Sequence, residues 1–353
     1  MMEETTMDIV QLNQIAEKMV TPGQGILAAD ESHGTIGKRF DSINVENNED
    51  NRRAWREMLF RTDVAMKKHI SGVILYDETI RQKAKDGTPL VDIIQSHDSV
   101  PGIKVDMGAK PLAGCPGETI TEGLDGLRGR LEEYYKLGAR FAKWRAVIEI
   151  SHPEQYVGVT PTRGGIKANT HALARYAALC QEANIVPIVE PEVLMGGYHN
   201  IERCHEVTEI ALNALFRELY EHGVKLEGII LKPNMVVAGK KCAEQPSIEE
   251  VAERTIKVLK DTVPVSVPGI AFLSGGQDNE VATEHLNMMN KIGGFPWKMT
   301  YSYGRALQQS ALKAWQGKAE NYDIAQTAFH LRAKMNGLAS TGEWSKTLET
   351  NAA

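Results

Sequence analysis

Short apolar, β-prone runs alternate with helical patterns along this chain, and that alternation restricts its fold more than any other feature. The runs fall at 25–30 (GILAAD), 72–77 (GVILYD), 102–106 (GIKVD), 141–148 (FAKWRAVI), 186–193 (VPIVEPEV), 228–235 (GIILKPNM), 269–275 (GIAFLSG) and 298–304 (KMTYSYG). Helical patterns fill most of the gaps, at 51–62, 123–137, 170–183, 200–222, 248–262, 279–290 and 306–315. In 200–222, Val207, Ile210, Ala211, Ala214, Leu215 and Leu219 fall on one stripe of a 3.6-residue period. Strand and helix taking turns demands a parallel sheet, and eight such units suggest closure into a (β/α)8 (TIM) barrel. A doubly wound open sheet ranks second. It needs a glycine-rich dinucleotide loop after the first strand, and GILAADESHG contains no GxGxxG.

The 353 residues suit one barrel domain over 1–353, since no linker or composition shift divides them. A helix at about 8–20 precedes the first strand, 158–167 reads as a loop with a strand-like excursion, and the polar tail from 338 to 353 is expected to be mobile. A net charge of −6 argues against a general nucleic-acid binder. No apolar run is long enough to span a bilayer, so no membrane partner is expected. The first twenty residues carry acids and lack the apolar core of a signal peptide. Four cysteines lie far apart without a CxxC pair, which suits a cytoplasmic chain with free thiols and no zinc site.

Charged residues break into the apolar runs near their C-terminal ends, where the active sites of such barrels lie. Asp30 ends the first run, Lys104 lies in the third, Lys143 and Arg145 in the fourth, Glu190 and Glu192 in the fifth, Lys232 in the sixth, and Arg305 follows the eighth. Residues two apart on a strand share a face, so Lys143 points with Arg145 and Glu190 with Glu192. Lys232 sits between Leu231 and Pro233. An ammonium there loses hydration, which favours the neutral amine, a nucleophile for carbonyl carbon that forms a Schiff base. The alternative for Lys232 alone is a strand-edge lysine that snorkels to water. For the whole set that alternative leaves several ionisable groups buried without purpose. A protonated Schiff base is an electron sink, so C–C cleavage needs no metal or other cofactor, and no HExxH or histidine cluster appears.

Two anion sites can be read beside that lysine. Ser274, Gly275 and Gly276 follow the seventh run, and Ser302, Gly304 and Arg305 close the eighth. Loops after the last two strands, opening onto helix N-termini, are a frequent phosphate site in barrels. A glycine pair on its own is equally a plain turn. Lys38, Arg39, Lys104 and Arg145 form a second basic group, although Lys38 and Arg39 also fit a solvated helix face. Two anion sites around a Schiff-base lysine suit a sugar bisphosphate.

These residues carry a family. FAKWR, VEPE, LKPNM and FLSGGQ in this order, with GILAADES, ENNEDNRR, GVILYDET and SYGRALQQSALKAW, resemble class I (Schiff-base) fructose-1,6-bisphosphate aldolase along nearly the whole chain. The resemblance implies reversible cleavage to dihydroxyacetone phosphate and glyceraldehyde 3-phosphate, in glycolysis and gluconeogenesis, by a cytosolic homotetramer. It implies that Lys232 forms the Schiff base, that Glu190 accepts protons and Glu192 assists, that Lys143 helps dehydration, and that Asp30 serves the C4 hydroxyl. It places the C1-phosphate at Ser274, Gly275, Ser302, Gly304 and Arg305. The C6-phosphate falls to Ser32, Thr35, Lys104 and Arg145, with Arg39 near the mouth and Arg52 a weaker candidate. Animal members end in a tyrosine that assists enamine proton exchange, and 338–353 has none, so Glu190, Glu192 or water takes that work. His33 stands where the family often has serine or threonine.

Overall fold

The computed structural model describes residues 7–151 and 159–350. Eight parallel strands close into a barrel: β1 (Gly25–Ala29), β2 (Ile70–Leu75), β3 (Val100–Lys104), β6 (Phe141–Ile148), β7 (Val186–Val193), β8 (Ile230–Leu231), β9 (Gly269–Phe272) and β10 (Lys298–Tyr303). A small antiparallel hairpin, β4 (Ala109–Pro111) with β5 (Thr119–Thr121), rises from the loop after β3. β1 pairs with both β2 and β10, which seals the barrel. Helices pack around the outside. Ile201–Glu221 begins where the Asn200 side chain accepts from the Arg203 amide, and it buries Val207, Ala211, Leu215 and Leu219. Among the described residues no helix is long and apolar enough to cross a membrane.

The barrel floor is apolar and plugged. Leu12, Ala16 and Met19 of the helix Ile9–Met19, with Val20, pack against Ile26, Ile74, Val100, Phe141, Val186, Ile188, Ile230 and Ala271 from the strands. Glycines make the room. A Cβ on Gly102 would lie 2.3 Å from the Phe141 ring, and one on Gly269 would lie 2.6 Å from Val20. Phe141 thus fills space that any side chain at 102 would take, and truncating it to alanine costs about 3–5 kcal/mol. This floor adds to the larger apolar cluster shared by strands and outer helices, and it leaves the upper end free to hold charge.

The structure departs from the sequence reading in several places. The run at 228–235 is a strand over two residues only, Ile230–Leu231, because Leu226–Gly228 forms a 3-10 turn and Pro233 has no amide to give the ladder. The Lys232 amide still bonds Val189 O at 2.9 Å, so Lys232 stands on the barrel wall. Asp77 starts a short helix, Asp77–Arg81, instead of ending β2. The strand-like excursion expected at 158–167 is helical from Arg163, since Thr162 caps Arg163–Glu182 by accepting from the Gly165 amide; 158 itself lies outside the described residues. Helix Tyr322–Ala339 passes unread in the sequence. The tail expected to be mobile from 338 instead packs back as far as Thr350: Trp344 is buried, and Arg332 binds both Glu349 oxygens at 2.6 and 2.7 Å. A polar composition hides such anchors, because one tryptophan and one ion pair supply them.

Candidate active site

At the C-terminal end of the strands the barrel opens into a cavity of about 1250 Å³. Its walls include Asp30, Lys104, Asp106, Lys143, Arg145, Glu190, Glu192 and Lys232. Register brings these groups together. Lys104 lies beside Lys143, Arg145 beside Glu190, and Val147 beside Glu192. Trp144 takes the opposite face of its strand and is fully buried against the helices, as the two-residue period requires.

The floor of the cavity is a chain of alternating charges. Lys143 Nζ lies 3.1 Å from Asp30 Oδ2, 3.4 Å from Glu190 Oε2 and 3.9 Å from Asp106 Oδ2. Glu190 offers its other oxygen to Lys232 Nζ at 3.3 Å. Lys143, Glu190 and Lys232 are all at least 95% buried. The cations expected around Lys232 are therefore interleaved with carboxylates. Burial alone would lower the Lys143 pKa, but Asp30, Glu190 and Asp106 outweigh it and hold this ammonium well above the ordinary lysine range. Burial alone would raise Asp30, but Lys143, Lys232 and Lys104 together bring it down to about 2. At neutral pH Lys143 is thus a donor and Asp30 an acceptor. Glu192 pairs with Arg145, yet burial pushes its carboxyl above the usual range.

One wall combines two left-handed glycines, a helix N-terminus and a cation. Gly275 and Gly276 take positive φ, 55° and 91°, which turns the chain sharply after Ser274. Ser302 Oγ is buried with no hydrogen-bond partner among the described residues. Gly304 precedes the helix Arg305–Trp315, whose N-terminus opens toward the cavity. Arg305 Nη2 donates to Gln277 O at 2.6 Å, and Lys240 Nζ donates to Gly276 O at 2.6 Å. Below that loop the neutral ring of His285, its pKa lowered to about 4 by burial, meets Gln277 Oε1 at 2.6 Å through Nδ1.

Comparison with known proteins follows the same lines. The family model for fructose-bisphosphate aldolase class-I matches residues 11–353. The chain belongs to the class-I fructose-bisphosphate aldolase family. It is 58% identical over 339 residues to a probable class 1 fructose-bisphosphate aldolase of Xanthomonas axonopodis pv. citri, covering 96% of this chain and 99% of that one. A cytosolic fructose-bisphosphate aldolase of Arabidopsis thaliana is 54% identical over 323 residues, 91% of this chain and 80% of that one. The solved fructose-bisphosphate aldolase of Plasmodium falciparum superposes with a TM-score of 0.92 at 47% identity, over 96% of each chain. The closed eight-stranded barrel is the fold of that aldolase.

Most residues singled out in the sequence line this one aldolase-family cavity: Asp30, Ser32, Thr35, Arg39, Lys104, Lys143, Arg145, Glu190, Glu192, Lys232, Ser274, Gly275, Gly276, Ser302, Gly304 and Arg305. Arg52 is the exception. Its guanidinium is buried outside the cavity lining and spent on Glu78, at 2.8 and 2.6 Å, with Asn47 Oδ1 at 3.0 Å. His33 joins that cluster, 3.1 Å from Glu78. The exposed Lys38 also stays outside the lining, in line with the solvated-face alternative. Sequence reasoning missed Asp106, Glu31 and Lys240. Asp106 had a signal, since it ends the third apolar run two residues after Lys104, and it binds Lys104 Nζ at 2.6 Å. Glu31 holds Arg39, and neither it nor Lys240 belongs to a pattern along the chain.

Proposed function

We propose that this chain cleaves fructose 1,6-bisphosphate reversibly to dihydroxyacetone phosphate and glyceraldehyde 3-phosphate, through a Schiff base on Lys232. The observation that carries this reading is the buried alternation Asp30–Lys143–Glu190–Lys232 beside an open anion wall. Glu190 takes a proton from Lys232, and the amine adds to the C2 carbonyl. Lys143 donates as the C2 oxygen leaves as water, giving the iminium. Asp30, ionised at neutral pH, accepts the C4 hydroxyl proton as the C3–C4 bond breaks. The bond electrons pass into the iminium and leave an enamine. Return of a proton to C3 and hydrolysis restore Lys232. Ser274, Gly275, Gly276, Ser302, Gly304 and Arg305 hold the C1-phosphate. Lys104, Arg145, Ser32, Thr35 and Arg39 serve the C6-phosphate.

The finer family expectations, a homotetramer working in the cytoplasm, are proposed with this reading. Light scattering on the eluted protein tests the first. The chemistry is tested by borohydride in the presence of substrate and a chelator. One covalent adduct is expected, on Lys232, and none in Lys232→Met, whose turnover should fall below detection. Full turnover in that variant, or an adduct elsewhere, would remove the mechanism.

A further inference from the structure

Outside the aldolase cavity, three ligand-type side chains converge between two helices. His171 projects from Arg163–Glu182, while Glu218 and His222 come from the last turn and the C-cap of Ile201–Glu221. One ligand atom from each lies within 4.8 Å of the others. None of the three lines the aldolase cavity. We propose that His171, Glu218 and His222 form a binding site for a zinc-class divalent transition-metal ion, separate from the aldol chemistry.

The chemistry of the donors selects the ion. Two imidazoles and one carboxylate suit zinc, cobalt(II), nickel(II) or copper(II), and not magnesium or calcium, which take oxygen ligands. Zinc bonds to nitrogen and oxygen of about 2.0–2.1 Å set tetrahedral ligands roughly 3.3 Å apart. His171 Nδ1 and Glu218 Oε2 already stand 3.0 Å apart. The third donor has to move inward to reach that spacing. His222 Nδ1–H donates to Glu218 O at 2.8 Å and stands 3.7 Å from Glu218 Oε2, so the ring has to turn to present Nε2 to the ion. A carbonyl on one ring nitrogen is the arrangement that fixes a ligating histidine's tautomer. Helix geometry supplies the rest, since Glu218 and His222 are four apart on one face. The two rings meet edge to face at 4.9 Å.

Access comes from solvent. The His171 side chain is about half exposed, and His222 borders a groove of about 350 Å³ lined by Leu124, Leu127, Arg175 and Leu179. Glu218 is buried, so its charge acts at low dielectric and is balanced in the free protein only by partners such as His171. An ion that ties two helices together and binds only the folded chain raises the melting temperature by mass action.

The test is calorimetric titration of the chelator-stripped full chain with zinc chloride, in parallel with His171→Gln, Glu218→Gln and His222→Gln. One saturable site per chain is expected, at least ~10-fold weaker in each variant, with aldolase turnover unchanged. Absence of a saturable site in the parent, or equal affinity in folded, active His171→Gln and His222→Gln, overturns the proposal. X-ray absorption on the zinc-loaded parent is independent of how the variants fold. Two imidazole shells with oxygen support the site. A sulfur shell, from cysteines such as Cys115 or Cys242, or oxygen alone, overturns it.

Discussion

On the proposed reading, the two ends of the cavity bind anions by different means. At the Ser274–Arg305 end the donors are backbone amides, a helix N-terminus and a serine hydroxyl with no partner among the described residues. At the Lys104–Arg145 end every cation named for phosphate is already held. Lys104 binds Asp106, Arg145 binds Glu192, and Arg39 binds Glu31. A phosphate at the first end shares Arg305 with a neutral carbonyl, that of Gln277. At the second it must displace or share a carboxylate, so part of the attraction is offset by the pair it disturbs. The first end is preorganised for affinity, and the second is suited to tell a bisphosphate from a monophosphate.

The largest effect is expected at the preorganised end. Arg305→Gln should lower kcat/KM on the order of 10²–10³-fold for fructose 1,6-bisphosphate and fructose 1-phosphate alike, as the loss of a charged donor at a half-buried site implies. Steady-state kinetics with both substrates checks this, and a loss confined to the bisphosphate would reverse the assignment of ends. Next come Lys104→Met and Arg145→Met. Charge-assisted hydrogen bonds of this kind give about 10–100-fold on the bisphosphate. The monophosphate should hardly change. Equal losses on both substrates would mean that these cations serve the reacting centre instead.

The same contrast explains what the sequence reveals. The barrel is legible because its signals are local: eight apolar runs, each followed in the chain by helix. The charged pairs are legible because Lys143 and Arg145, or Glu190 and Glu192, lie two apart on a strand. The glycine loop is legible because Gly275 and Gly276 mark positive φ directly. Pairing across the chain is not. Arg52 looks like a free cation until the fold brings Glu78 to it from 26 residues away. Arg145 looks free until Glu192 arrives, 47 residues on. Composition also misleads at the tail, where Trp344 and Glu349 outweigh their polar neighbours.

A smaller effect is expected where the preorganised loop is propped from below. His285 Nδ1 meets Gln277 Oε1, and the carbonyl of Gln277 receives Arg305. His285→Phe removes the donor and leaves Gln277 buried with an unmet acceptor, a cost of about 1–3 kcal/mol. Part of that cost should reach Arg305, raising KM about 3–10-fold for both substrates with kcat little changed. His285→Asn keeps a donor near the Nδ1 position and should restore KM. Failure of that rescue, with stability recovered, would make His285 a packing residue.

The smallest effect concerns Asp30, which lies between the two ends and registers the charge of one of them. Its pKa in the folded chain is about 2, with burial opposing and Lys143, Lys232 and Lys104 prevailing. A carboxylate lowered on folding stabilises the fold at pH values above its unfolded pKa of about 3.9. That contribution drains away as pH falls through the folded value. It amounts to on the order of 2 kcal/mol and is lost between roughly pH 4 and pH 2. Denaturant unfolding of the parent and Asp30→Asn should therefore differ at pH 7 and converge toward pH 2. Lys104 is one of the three cations, so in a Lys104→Met background the Asp30→Asn penalty at pH 7 should shrink. Arg305 is not among the leading cations that hold Asp30 down, so in an Arg305→Gln background the penalty should stay nearly whole. Equal penalties in the two backgrounds would show that the Lys104–Asp106 pair is electrically closed, with no charge left over for Asp30. In that case the second end would also have little left to offer a phosphate, and discrimination between the two substrates would rest on Arg145 and the hydroxyls of Ser32 and Thr35.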